Sequence, residues 1–161
     1  MAFTSGIHGE GVTLALKPTI TAGAYTAGDA VGGLLTFPLA ARTNISEGGS
    51  ILTDVLIVDD AGQDAELELW LFNQTFTAMA DNAAWAPAET DLENLIAVVS
   101  TEDSALGWLA AGTPSAINVE CTRRIDLVAG GTSLFGQLVT RGTPTYAATD
   151  DLTIKIKLLQ D

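Results

Sequence analysis

The chain is short of positive charge. Seven Lys and Arg stand against 20 Asp and Glu, a formal net charge of −13 over 161 residues. Phosphate backbones are held by clustered Lys and Arg, so binding of nucleic acid is not expected. Cysteine is nearly absent. Cys121 is the only one, so no disulfide forms within the chain, and the framework of a small disulfide-rich domain is excluded. His8 is also the only one of its kind, in a Gly-rich N-terminal stretch; no Ser–His–Asp triad can be built without it, and a zinc site would need ligands that the chain mostly lacks. No apolar run approaches about 18 residues, the length needed to cross a bilayer as a helix, so no membrane span is expected. Met1–Gly6 lacks the basic and apolar regions of a signal peptide.

What is present is apolar and small. Hydrophobic residues make up 47% of the chain although aromatics make up only 6%, so Ala, Val, Leu and Ile carry the apolar content, with 16 Gly between them. That is enough to bury a core, which argues against charge-driven disorder. Short β-branched runs separated by Gly-rich turns point to strands. The strand signals fall at Val12–Lys17, ending at Pro18 as an edge strand does, at Val31–Phe37, at Ile51–Val58, at Ala65–Phe72, at Ile117–Val128, at Ser133–Val139 and at Leu152–Leu158. In the last of these Lys155 and Lys157 alternate with apolar residues, and such a strand is expected inside a sheet. Residues 51–72 read as an antiparallel hairpin turning at Asp59–Asp64. Thr90-x-x-Glu93 has the spacing of a capping box, and Leu92, Leu95, Ile96 and Val99 follow at helical spacing, so one short helix is expected there. No βαβ alternation, internal repeat or domain boundary is present. The expected architecture is all-β: a jelly-roll-like antiparallel β-sandwich with one short helix, a single domain over residues 12–161 preceded by an extended arm over residues 1–11.

Few residues gather into chemical constellations. Asp59, Asp60, Asp64 and Glu66 offer oxygen ligands of the kind calcium takes, but they lack the alternating acidic spacing of an EF-hand, and an Asp/Gly-rich turn accounts for them without an ion. Gly131–Gly136 has the wrong spacing for a nucleophile elbow. Gly28, Gly32 and Gly33 lack the following helix of a dinucleotide fingerprint. The acids lie in turns and at outward strand positions, where solvation explains them better than paired catalysis does. No catalytic residue, metal or cofactor is assigned. Alternation places Cys121 on the buried face of its strand, as a small hydrophobe. Arg123 and Arg124 are the only basic cluster, suited to cross-strand pairing with acids or to an acidic patch on a partner. Trp70 and Phe72 share the strand face opposite the Leu67–Leu71 stripe, and Trp85 sits in an Ala-rich loop; ordinary packing under the helix competes here with a protein interface. Phe3, in the arm, completes the candidate interface residues.

Two segments are similar to virion structural proteins of tailed bacteriophages: Ala24–Phe37, with a Tyr25-x-x-Gly28-Asp29 turn, and Asp81–Ile96, with an Asp81–Asn82–Ala83–Ala84–Trp85 loop. The resemblance implies a capsid decoration, or cement, protein. It would be a non-enzymatic jelly roll bound to the outer surface of the major capsid protein shell. It would act as a homotrimer or homodimer, made in the host cytoplasm and located on the virion. Alternatives are a tail, neck or head-fibre component, and a carbohydrate-binding jelly-roll module. The arm is then the element expected to reach a neighbour by strand addition.

Overall fold

In the computed structural model, residues 10–38, 40–41 and 49–160 are described. Nine strands occur among them: β1 Glu10–Leu16, β2 Ala30–Phe37, β3 Gly49–Asp59, β4 Leu67–Phe72, β5 Leu95–Ser100, β6 Leu109–Ala110, β7 Ser115–Asp126, β8 Leu134–Thr140 and β9 Leu152–Gln160. They form two sheets, ordered β1-β9-β3-β7-β6 and β2-β8-β4-β5. The pairing is nested. First pairs with last (β1 with β9), then β2 with β8, β3 with β7 and β4 with β5, all antiparallel. Nested pairs laid alternately in two sheets are the jelly-roll arrangement, so the sandwich expected from the strand map is the fold observed.

Alternation builds the core between the sheets. Ile154, Ile156 and Leu158 of β9 and Leu67, Leu69 and Leu71 of β4 all enter it, and all six are buried. A fully buried Leu or Ile stabilises by about 2 kcal/mol, which outweighs the weak preferences of the intervening polar positions. In β3 the inward set changes parity, from Ser50 and Leu52 to Val55, Ile57 and Asp59. The cause is a bulge at Thr53, where the register to both β7 and β9 slips between Leu52 and Asp54. Hence Ile51–Val58 shows no single alternating apolar face in sequence.

Two local expectations are corrected. Residues 51–72 are not a hairpin: β3 and β4 lie in different sheets. Both sides of β3 are filled along most of its length by β7 and β9, which leaves no edge for β4. The turn itself leaves the sheet plane because the Asp59 carboxylate accepts from the backbone N–H groups of Ala61, Gly62, Gln63 and Asp64 at 2.9–3.2 Å, while Asp60 N donates to Asp151 O. Gly62 belongs there, with φ of +61° and its α-carbon so close to the Thr113 carbonyl oxygen that a side chain would collide.

The helix is a single turn, α1 Glu89–Leu92, and Leu95–Ser100 is strand β5. The N-cap is Ala88, with no side-chain cap, so the Thr90–Glu93 capping box does not form. Leu95–Val99 also carries β-branched residues, and β4 pairs with it from Phe72 to Glu68. Tertiary pairing thus decides between two periodicities that the sequence satisfies together. Residues 10 and 11, assigned to the arm, are the start of β1, while residues 1–9 lie outside the described residues. β1 is a sheet edge and β9 lies between β1 and β3, as expected.

Candidate interaction surface

The connection from β4 to β5, residues 73–94, crosses the outer face of the four-stranded sheet as a strap. It leaves β4 at Phe72, whose ring stacks on Phe76 with centroids 4.0 Å apart. It then passes over β8, where the buried Gln137 amide pairs with the strap backbone. Met79 N donates to Gln137 Oε1 at 2.9 Å, and Gln137 Nε2 donates to Met79 O at 2.7 Å and to Gly32 O at 2.9 Å. At the rim it pairs with β2: Asn82 N donates to Ala30 O and Ala30 N to Ala83 O. It returns over β4, where Trp85 packs on Trp70 with centroids 5.4 Å apart and meets the edge of Phe76 at 6.4 Å.

Asp81 is the pin of this arrangement. Its carboxylate accepts from Thr21 Oγ1 at 2.5 Å, from the Tyr25 hydroxyl at 2.7 Å and from Gly32 N at 2.5 Å. Burial, reinforced by the Asp81 carboxylate, pushes the Tyr25 phenol well above its ordinary value of 10, so Tyr25 remains a donor. Tyr25 OH also accepts from Thr21 N, and its ring packs edge-on against Tyr146. Trp85 N donates to Gly28 O, Asn82 Nδ2 to Ala24 O, and Asp29 is bridged to Ala84. The Tyr25–Asp29 turn and the Asp81–Trp85 loop, more than fifty positions apart, are therefore one hydrogen-bonded unit.

Its outward side is small and uncharged. Ala24, Thr26, Ala27, Asn82, Ala84 and Ala86 are exposed. The two carboxylates within it are engaged, Asp81 as above and Asp29 by Thr26 N at 2.7 Å. On a molecule of net charge −13 this is a charge-poor island.

The other site residues separate. Trp70 and Trp85 come together and are both half-buried. Trp70 Nε1 donates to Glu68 Oε2 at 2.9 Å, and Arg141 Nη2 reaches the same oxygen at 2.8 Å. Burial alone would raise the Glu68 carboxyl, but these two donors outweigh it and hold the group below its ordinary range. Phe72 is wholly buried under the strap, so packing, not an interface, accounts for it. Phe3 lies outside the described residues. Arg123 and Arg124 are exposed on β7, in the other sheet, and do not join the aromatic group. Their register partners on β3 are Leu52 and Ile51, and Arg124 Nε meets Asp126 Oδ1 of its own strand at 2.6 Å. Cys121 is half-buried, a departure from the buried position expected of it. Burial raises its thiol, Arg123 opposes and Asp54 adds to the rise.

The acidic turn also resolves into structure. Asp59 is buried and spent on four backbone donors, and burial still holds its carboxyl above the ordinary value. Asp60 and Asp150 sit around Lys17 Nζ at 3.7 and 3.9 Å. No cluster suited to a metal ion occurs among the described residues. Sequence reasoning missed Asp81 and Gln137. The signal for Gln137 was a lone amide inside the apolar run Leu134–Val139; for Asp81 there was none beyond its place beside Asn82.

The fold defines the class: an all-β jelly-roll sandwich. No family model and no curated protein matches the chain. Among solved structures it is similar to the PRD1 vertex protein P5, at 14% identity and a TM-score of 0.37, over 93% of this chain and 95% of that one. It is also similar to the Israeli acute paralysis virus particle, at 13% identity and a TM-score of 0.30, over 99% and 73%. A third likeness is to dimeric latent PorU from Porphyromonas gingivalis, at 11% identity and a TM-score of 0.34; it covers 95% of this chain but the chain spans only 13% of PorU. Overlaps this loose carry no information about role.

Proposed function

We propose that the chain is a non-enzymatic structural protein of a phage virion, a capsid decoration subunit that binds the outer surface of the major capsid protein shell. One observation carries the reading. The two segments that resemble phage virion proteins are joined by Asp81 into a single charge-poor surface. An interface core is depleted of charge relative to its surroundings, which suits this island on an otherwise acidic molecule. Binding across a shell of repeated subunits would sum many modest contacts.

Sedimentation with purified undecorated heads tests this. The chain is expected to pellet with the heads at saturating copy number on the order of hundreds per particle, as shell symmetry requires. Protein left in the supernatant, or a handful of copies per particle, overturns the assignment.

A further inference from the structure

The sandwich has four strand edges, and three carry a charge, a proline or a covering segment. β1 starts at the charged Glu10 and runs into Lys17 and Pro18. β2 is taken by the strap at Ala30, and Asp81 accepts from Gly32 N. β7 is covered at Ala116 and Ser115 by β6, its Asn118 carbonyl accepts from Ser104 Oγ at 2.7 Å, and it carries Glu120 and Arg123. Charges, proline and covering segments are the usual means of stopping a sheet from growing. The fourth edge, β5, has none of them. Leu95–Ser100 contains no charge, proline or glycine, and among the described residues no backbone group bonds to its outer side.

Beside that edge, between β5 and β7, lies a groove of about 230 Å³ lined by Val98, Asp103, Glu120, Cys121 and Arg123. Arg123 is exposed and makes no ion pair among the described residues, although two carboxylates share the groove with it. One patch therefore holds both signs of charge flanking an uncharged strand. A two-fold contact places the same patch on both sides, so it must be complementary to itself, which a patch holding both signs of charge allows.

We propose that two copies of this chain pair through β5, antiparallel about a two-fold axis, so that their four-stranded sheets join into one of eight strands. Arg123 of each copy then faces the acidic end of the groove in the other. The apolar edge lets two chains of net charge −13 meet without opposing like charges at the seam. This pairing does not depend on the virion assignment and can hold or fail without it.

Sedimentation velocity of the whole chain over a wide concentration range tests it. The unaltered chain is expected to reach twice the chain mass. Val98 lies near the middle of β5 and is half-exposed, so V98K sets two lysines near the axis and is expected to give the single-chain mass with an unchanged far-UV circular dichroism spectrum. R123E is expected to weaken pairing, and D103R combined with R123D to restore it. A single-chain mass for the unaltered protein at every concentration, a three-fold species, or a V98K variant that still pairs overturns the proposal. If V98K does not fold, amide exchange of the unaltered chain decides. Exchange at Ile96–Ser100 that slows on concentration supports pairing; exchange independent of concentration overturns it.

Discussion

Asp81 shows how much a single side chain can organise here. It has two oxygens and uses them on three donors from three different places: Thr21, Tyr25 and the β2 backbone at Gly32. Removing it strands the Tyr25 hydroxyl and the Gly32 N–H, and a buried donor without an acceptor costs about 1–3 kcal/mol. Asp81→Ala is therefore expected to destabilise by about 2–4 kcal/mol, read as a lower urea midpoint at an unchanged slope. A midpoint that moves by less than about 0.5 kcal/mol equivalent would show that the strap is held elsewhere. Nothing in the local sequence distinguishes Asp81 from the solvated acids, because its partners are remote in the chain. Asp59 is the opposite case. Its partners are the next few residues, so an Asx-type turn was legible from Asp59–Asp60–Ala61–Gly62 alone, although the burial of the carboxylate was not.

At the scale of elements, strands with strict alternation were legible and those serving two layers were not. β9 is apolar at every second position from Leu152 to Leu158, and that stretch was legible as a strand inside its sheet; the strand itself continues to Gln160. β3 is crossed by a bulge that changes inward parity, so its run gave the strand but not its facing. β5 was read as helix because Leu92, Leu95, Ile96 and Val99 satisfy the helical spacing, although the β-branched residues of Leu95–Val99 suit a strand equally, and only pairing with β4 decides between them. The same correction makes a prediction. A working capping residue contributes about 1 kcal/mol, but the Thr90 side chain caps nothing here. Thr90→Ala is expected to shift the thermal midpoint by no more than about 0.5 kcal/mol equivalent, and a loss near the full capping value would restore the longer helix.

At the scale of the whole molecule, the acidic excess works against compactness. Twenty carboxylates against seven cations repel one another over the surface; among the described residues Lys17 meets Asp60 and Asp150, Arg141 meets Glu68 and Arg124 meets Asp126. Screening shortens that repulsion to about 3 Å at 1 M salt from about 10 Å at 0.1 M. The melting temperature is accordingly expected to rise as NaCl is raised through this range at neutral pH. A fall would mean that the few ion pairs outweigh the general repulsion.

The sequence by itself determined the class of fold, because period-two burial depends only on neighbours along the chain. It also set the acidic surface and left a single cysteine, too few for a disulfide within the chain. Tertiary structure alone decided which strands share a sheet, that residues 60–66 cross between layers and do not form a hairpin, and that Trp70 and Trp85 meet while Arg123 and Arg124 lie on the other sheet. It also decided that the two segments similar to phage virion proteins are one surface and that β5 is a sheet edge without charge, proline or cover among the described residues. Each of these rests on contacts between residues far apart in sequence, and the energy of such contacts belongs to the packing, not to any local stretch of chain.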